Sequence, residues 1–598
     1  MSLYQANRRI KRDSVVFVMI AIIALLVLAR AFYVQILQAE FLQSEGDKRQ
    51  IRTLEIPAAR GTIFDRQGSV LALSTPMASV WCDPKVLAPY LDIQAHLSKG
   101  DLSVLVEHNE KEISRLKKQL ANYQQVMSWL GLSANMVSQK VAGQPDRRFL
   151  YLKRSIQPTL AQKIDDLNIP GIYVENEYKR YYPGGETTAH LVGFTDIDGK
   201  GLSGVESTYH DWLTGQSGKK QVIKDRAGHV IDFVQDITED KPGKDLVLSI
   251  DKDVQFFLER ALKRAMIEHQ AKAATAVVLD AKTGEILSMA SLPAFNPNDR
   301  SQLTGEGIRN RVITDVVEPG STVKPIVIAK ALDLGLVSLD EEINTSPGSI
   351  TIQGQRVTDP KDKGRLTPEQ IIEKSSNVGM VKVAMRMKPE QLWQLYQDVG
   401  FAQDLGIFLP GESLGFMKRY SEWQKIEHAS AAYGYGFNIN LLQLAKAYTI
   451  FANDGQLVPL SILKKTQGNE NALETRIQVV SPESAHEVLE MMEKVVGSHG
   501  TAPQAHIAGY RVAGKTGTAH KTKRGGYEEN QYFAYFAGLV PVSDPRFIMV
   551  VAVNEPSRGI YYGGSVAAPI FKEVMTEVLR LYNVPTDIVK EVMNAPSL

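Results

Sequence analysis

The spacing of apolar and polar positions divides this chain into three stretches of different character. Near the amino end, Val15–Ala29 is an uninterrupted apolar run preceded by Arg8, Arg9, Lys11 and Arg12. Fifteen helical residues reach only about 22 Å, short of a hydrocarbon core of roughly 30 Å. One reading is a signal peptide cleaved at the small-x-small site Ala29-Arg30-Ala31. The other is an uncleaved anchor of about 34 Å running on to Leu37, because Phe32, Tyr33, Val34, Ile36 and Leu37 resume the apolar face. Arg30 then snorkels to the outer surface or faces a partner helix. The anchor is the expectation. Residues 1–14 form a cytoplasmic tail, 15–37 a transmembrane helix, and everything from about Gln38 lies outside the cytoplasm, the basic end staying inside.

Residues 38–240 read as a mixed α+β region. Strand-like Ile51–Ile56 and Val70–Leu73 are broken by turns such as Asp65-Arg66-Gln67-Gly68. Glu110–Leu130 is helical, with Ile113, Leu116, Leu120 and Met127 near helical spacing. Tyr181-Tyr182-Pro183-Gly184-Gly185 is turn chemistry. Nothing here converges as a catalytic site does, so a structural or docking domain is expected.

After Asp240-Lys241-Pro242-Gly243-Lys244 the periodicity sharpens, and residues 241–598 are expected to form one domain. Leu246–Ile250 predicts a strand and Asp253–Glu268 a helix. Thr275–Asp280 and Glu285–Ala290 predict a hairpin around Ala281-Lys282-Thr283-Gly284. Ile326–Leu334, stopped by Gly335, is a helix whose start is fixed by Pro325, since proline is tolerated only in a first turn. Thr367, Pro368 and Gln370 supply a cap, a first-turn proline and a capping-box partner for Pro368–Lys374, and another helix begins near Val378. Arg511–Ala519, Tyr532–Val540 and Arg546–Asn554 are three strand-like runs at hairpin spacing, closed by a helix near Ala568–Leu581.

Composition removes whole classes of function. Lys plus Arg number 68 and Asp plus Glu 67 in 598 residues, a formal charge of +1, so there is no electrostatic case for nucleic acid as the main partner. The single cysteine, Cys82, excludes an intrachain disulfide and a cysteine-based zinc cluster. The zinc-protease signature H-E-x-x-H is missing.

Candidate chemistry lies in Glu318-Pro319-Gly320-Ser321-Thr322-Val323-Lys324-Pro325. Ser321 sits at the mouth of the helix, and positions i and i+3 share a face, so the Lys324 amine comes within reach of the Ser321 hydroxyl. Unpaired backbone N–H groups at that end form half an oxyanion hole. S-x-x-K alone is weak, recurring at Ser114, Ser217, Ser249 and Ser461. Two later motifs add weight. Ser375-Ser376-Asn377 comes 54 residues beyond Ser321, in a loop between two helices, and Lys515-Thr516-Gly517-Thr518 a further 140 on, along a strand. The Lys282-Thr283-Gly284 copy reads as a turn only.

The trio S-x-x-K, S-x-N and K-T-G resembles the signature of penicillin-binding proteins and class A β-lactamases. With Arg60–Gly68, Arg180–Gly184, Gly201–Glu206 and Tyr561–Gly564, the whole chain resembles the class B penicillin-binding proteins, of the septal, division-specific peptidoglycan D,D-transpeptidase (FtsI) type. One departure is Asn440-Leu441, where the family usually has Thr-Pro; an effect on the start of the local helix, not on chemistry, is expected. The resemblance implies a penicillin-binding transpeptidase fold of the α/β (α+β) kind, an antiparallel sheet flanked by helices over 241–598, above a mixed α+β pedestal over 38–240.

It also implies roles. Ser321 attacks the carbonyl between the terminal D-alanines of a stem peptide to give an acyl-enzyme. Lys324 is the base, if neutral; a second cation 4 Å away repels it by roughly 4 kcal/mol, about three pKa units, at an effective dielectric of 20. Ser375 relays the proton to the leaving D-alanine, and Asn377 holds the peptide and Lys324. The oxyanion hole is the backbone N–H of Ser321 and Thr518. Lys515, Thr516, Gly517 and Thr518 bind the terminal carboxylate of the substrate or of a β-lactam. No metal and no cofactor is needed. Implied partners are peptidoglycan stem peptides ending in D-Ala-D-Ala, β-lactams, the inner membrane, and division-complex membrane proteins including a lipid II glycosyltransferase. The alternatives are an elongation-specific relative, a D,D-carboxypeptidase or β-lactam-hydrolysing enzyme, and a sensor. A hydrolase needs a base for deacylation; the counterpart, Glu412, lies 35 residues beyond Asn377 but is followed by Phe416 where E-x-x-x-N is required, and Pro410–Gly415 reads as a surface turn.

Overall fold

The computed structural model describes residues 2–42, 44, 51–98, 110–144, 146–224, 230–303, 305–465, 476–523 and 526–587. The chain folds into two compact units, and the boundary is not one cut. Met1–Ala59, Pro76–Lys179 and Gly215–Pro242 form the first; Arg60–Thr75, Arg180–Thr214 and Gly243–Leu598 form the second.

In the first unit, helix α1 (Ser2–Phe32) runs into a single π turn, Tyr33–Leu37. Val15–Leu37, 23 residues, is exposed and is long and apolar enough to cross a membrane. The continuation beyond Ala29 supplies the length the first apolar run lacks. Strand β1 (Val70–Cys82) is longer than the apolar pattern suggests, passing Pro76, where the chain crosses from the second unit to the first. Its later half pairs antiparallel with β2 (Leu150–Ile156), and the strand also pairs with β3 (Ile172–Tyr181). Helix α2 (Glu110–Leu130) buries Leu120, Tyr123, Val126, Met127 and Leu130 in the same core as Ala78, Val80 and Cys82. A separate sheet joins Ile51–Ile56, Gly218–Lys224 and Val230–Thr238.

The second unit is built on a five-stranded sheet, antiparallel throughout. Its strands are β4 (Ala273–Asp280), β5 (Ile286–Leu292), β8 (Ala513–Lys523), β9 (Gly526–Val540) and β10 (Phe547–Asn554), in the order β5-β4-β10-β9-β8. Short strands β6 (Val316–Val317) and β7 (Phe437–Asn440) pair beside it. Strands β4 and β10 read as unbroken apolar runs because nearly every residue is buried, whichever face it occupies. On β9 the faces separate by parity. Phe536 packs edge-to-face on Phe571 of the closing helix Ala568–Leu581, while Tyr535 faces the turn that carries Ser321. Helix α3 (Lys252–His269), capped by Asp251, lies against β4, β5 and the closing helix. The strand expected over Leu246–Ile250 stops at Val247; Leu248 bridges Leu463 and the Ser249 N–H donates to Ile462, so the chain there turns from strand pairing to cross-linking.

Candidate active site

Ser321 lies not in the first turn of an α-helix but in one turn of 3₁₀ helix, Gly320–Val323, which hands over to α4 (Lys324–Asp333). Pro325 is in the first turn of α4, where its missing N–H costs nothing. The Lys324 N–H donates to the Ser321 carbonyl, closing the turn, while the Lys324 amine reaches Ser375 and Asn377 and, among the described residues, makes no hydrogen bond to the Ser321 hydroxyl. The turn is held by backbone. The Gly320 N–H donates to the Gly434 carbonyl at 3.0 Å, and a Cβ on Gly434 would lie 2.0 Å from the Gly320 oxygen. Tyr448 donates to the Thr322 carbonyl at 2.7 Å.

The second motif is a helix end. Helix α5 (Pro368–Glu373) has the expected Thr367–Gln370 capping box and stops at Lys374. The Ser375 N–H then donates to Ile372 and the Ser376 N–H to Ile371, the paired bonds of a Schellman motif. Ser375 occupies its left-handed position at φ +54°, a place that usually takes glycine. Ser376 caps α6 (Asn377–Ala384), so Asn377 is the first helical residue and not part of a loop. Asp359, buried, accepts from the Ser376 hydroxyl and from the N–H groups of Asn377 and Val378.

Strand β8 brings the third motif alongside. Gly517 allows the approach: a Cβ there would lie 3.0 Å from Thr322 Cγ2 and 3.1 Å from Tyr535 Cδ2. Thr516 and Thr501 share a hydroxyl hydrogen bond of 2.8 Å, and Thr518 Oγ1 accepts from the Gly563 N–H at 3.2 Å.

The two lysines meet at Ser375. Lys324 Nζ lies 2.8 Å from Asn377 Oδ1, 3.0 Å from the Ser375 carbonyl and 3.3 Å from Ser375 Oγ. Lys515 Nζ lies 3.0 Å from the same Oγ and 3.2 Å from the Thr516 carbonyl. Both side chains are fully buried. Burial, then the neighbouring Lys515, holds Lys324 well below the ordinary lysine range; Asp359 pulls the other way and Lys363 adds to the depression. Burial, then Lys363, brings Lys515 down to about 7. The sequence pattern paired the two lysines but missed Asp359 and Lys363, which lie outside all three motifs. The only signal was position, a few residues ahead of the Thr367 cap.

Residues 274–576 match the family described as the penicillin binding protein transpeptidase domain, and residues 55–248 the penicillin-binding protein dimerisation domain. The chain belongs to the class B penicillin-binding proteins. It is 39% identical over 561 residues to the peptidoglycan D,D-transpeptidase FtsI of Escherichia coli K12, covering 94% of this chain and 90% of that one. It is 36% identical over 582 residues, 97% of each chain, to the probable peptidoglycan D,D-transpeptidase PbpC of Pseudomonas aeruginosa. Among solved structures, a peptidoglycan synthetase from Bifidobacterium adolescentis aligns over 90% of this chain and 98% of its own, with 25% identity and a TM-score of 0.68.

Three of the class B blocks outside the three motifs, those of Arg60, Arg180 and Glu206, also converge. Arg60 and Arg180 each donate to one oxygen of Glu206 at 2.6 Å, all three residues buried. Arg60 also reaches the Glu206 carbonyl and Thr214, and Arg180 the Arg60 carbonyl and Ser74. The sequence pattern left these residues as pedestal; they pack with the second unit. In this class B chain Asn440, replacing the usual threonine, caps helix α7 (Leu441–Ala447) in a capping box with Gln443. Glu412 stands apart from the lysine cluster: its carboxylate accepts from the Leu405 N–H at 3.0 Å and is pushed up by burial. Lys282, in the second K-T-G, donates to Ala452 and pairs with Asp544.

Proposed function

We propose that this protein is a peptidoglycan D,D-transpeptidase that cross-links stem peptides through an acyl-enzyme on Ser321. The observation that carries the reading is the hydrogen-bond arithmetic at Lys324. A neutral amine has two N–H groups and one lone pair. The Ser375 carbonyl and Asn377 Oδ1 can only accept, so they take both N–H groups. The lone pair is left for a hydroxyl proton, and among the described residues no carboxylate hydrogen-bonds the amine.

Ser321 Oγ attacks the carbonyl between two terminal D-alanines and its proton passes to Lys324. The oxyanion is met by the backbone N–H groups of Ser321 and Thr518. As the intermediate collapses, the C–N bond breaks and the leaving D-alanine amine takes a proton through Ser375, which bridges Lys324 and Lys515. Lys515, with Thr516, Gly517 and Thr518, holds the terminal carboxylate. The amine of a neighbouring stem peptide then attacks the acyl carbon, its proton returning along the same path to Ser321. A β-lactam acylates Ser321 in the same way. The chemistry needs no metal. Ser321→Ala should abolish labelling by a fluorescent penicillin while the thermal unfolding midpoint stays within about 2 °C; an adduct mapped by mass spectrometry to any other residue overturns the assignment.

Likeness to the E. coli FtsI protein favours action at the division septum over elongation, and time-resolved localisation of a tagged protein in dividing cells distinguishes them. The apolar helix preceded by basic residues favours a single pass through the inner membrane, N-terminus cytoplasmic and catalytic unit periplasmic. That placement brings the chain among division-complex membrane proteins, a lipid II glycosyltransferase included. N-terminal sequencing of the membrane-bound protein reads cleavage at Ala31 directly.

A further inference from the structure

A second polar site lies on the same face of the catalytic sheet. Register puts Phe533, Asn554 and Ala273 in one row across β9, β10 and β4, and Tyr535, Ala552 and Thr275 in the next. Residues paired across antiparallel strands point to one face. It is the face of Gly517, the partner of Tyr535 on β8 and the glycine pressed against Thr322. Small side chains at Ala273, Thr275 and Ala552 beside the large rings of Phe533 and Tyr535 leave a cavity. Arg311, Asp315, Val317 and Leu441 complete its lining.

Three of the lining side chains carry a buried polar atom without a hydrogen-bond partner among the described residues: the Tyr535 hydroxyl, Asn554 Oδ1 and Arg311 Nε. Tyr535 is 1% exposed. Stranding one such group costs about 1–3 kcal/mol, and native interiors rarely strand several together. The space open to the centres of water molecules is about 20 Å³; one water needs roughly 10–15 Å³ on that measure and two to four polar partners. The donor count closes as well. A water can accept from the Arg311 N–H, donate to Asn554 Oδ1 and share a hydrogen bond with the Tyr535 hydroxyl, which serves as donor or acceptor.

We infer that this cavity is a built hydration site behind the nucleophile turn, holding one ordered water, or two, between Tyr535, Asn554 and Arg311. The rest of the Arg311 guanidinium binds Asp315 at 2.9 Å and Glu306 at 2.9 Å. Asp315 immediately precedes β6, and four residues after β6 comes Ser321. The water therefore ties the sheet to the strand that delivers the serine, which makes Tyr535 a positioning residue.

The test uses the full-length protein in detergent, wild type against Tyr535→Phe. The sign of the stability change discriminates: a hydroxyl bonded to water is a loss when removed, whereas a hydroxyl stranded in a dry cavity is a relief. The expected result is a melting midpoint lower by about 1–3 °C and penicillin acylation of Ser321 slowed at least threefold. The acylation arm rests on the function proposed above; if wild type forms no adduct on Ser321, that reading fails while the midpoint still judges the water. A midpoint that rises or stays unchanged overturns the inference. So does a crystal structure of the full chain, at a resolution showing ordered solvent, in which the cavity is empty or the three groups bond directly to one another. Density for a water in contact with all three supports it.

Discussion

The catalytic unit buries two groups of cations and treats them in opposite ways. Arg60 and Arg180 converge on one carboxylate, Glu206, which takes a guanidinium on each oxygen. Lys324 and Lys515 converge on a hydroxyl, Ser375 Oγ, and their other hydrogen-bond partners among the described residues are neutral oxygens. Guanidinium cannot lose its proton in a protein, so burying it requires an anion; ammonium can, so burying it against a second ammonium yields a base. The first arrangement fixes a fold; the second, on the function proposed above, supplies a base.

The largest effect should come from making the second cluster like the first. Lys324→Arg keeps the charge and forbids neutrality, so the rate of penicillin acylation should fall by about 10²–10⁴-fold in protein that remains folded by circular dichroism. Acylation near the wild-type rate would remove Lys324 as the base. The converse change acts on the fold. Glu206→Gln leaves two buried guanidiniums without their anion and should lower the free energy of unfolding by about 3–5 kcal/mol, read by urea denaturation. The acylation rate per folded molecule should stay within about twofold of wild type; a large catalytic loss without destabilisation would mean the network serves chemistry.

A smaller effect is linked to pH. Lys515 titrates near 7 in the folded chain against an ordinary value of 10.5. Below about 7 both states hold the proton and the buried charge costs its full amount. Between about 7 and 10.5 the unfolded chain binds a proton that the folded one does not, so stability rises with pH; above 10.5 the contribution vanishes. Lys324 acts in the same direction. Urea titrations of wild type and Lys515→Met across pH 7–10 should differ in slope by up to about 1.4 kcal/mol per pH unit, wild type rising more steeply. Parallel curves would mean Lys515 is not depressed. The smallest expected effect is none: Glu412→Gln should leave the lifetime of the penicilloyl adduct unchanged within about twofold, because that carboxylate is engaged with Leu405. Rapid turnover of a chromogenic cephalosporin, lost in the variant, would make the protein a hydrolase.

Much of this was legible in the chain because it is local. The Thr367 capping box, the closing helix and the β4–β5 hairpin come from spacing alone, and each stands where the pattern placed it. The motifs gave the members of the lysine cluster, since each carries its own local geometry. What stayed hidden is what distance along the chain conceals. Arg60 and Glu206 lie 146 residues apart, and nothing in either segment announces the other. Asp359 is one carboxylate after the short strand Gln355–Thr358 until folding sets it at the start of α6. The 3₁₀ turn at Ser321 was missed because an apolar run with an early proline cannot distinguish 3₁₀ from α winding.

Ser375 carries a consequence for anyone who would redesign this protein. Judged as a helix terminus, the position asks for glycine: the left-handed backbone costs a residue with a Cβ about 1–2 kcal/mol. An engineer applying the rules of helix ends would replace it and obtain a sturdier chain. The replacement would delete the one oxygen on which both lysines meet. At this seat, durability and reactivity are rival specifications, and the molecule is built to the second.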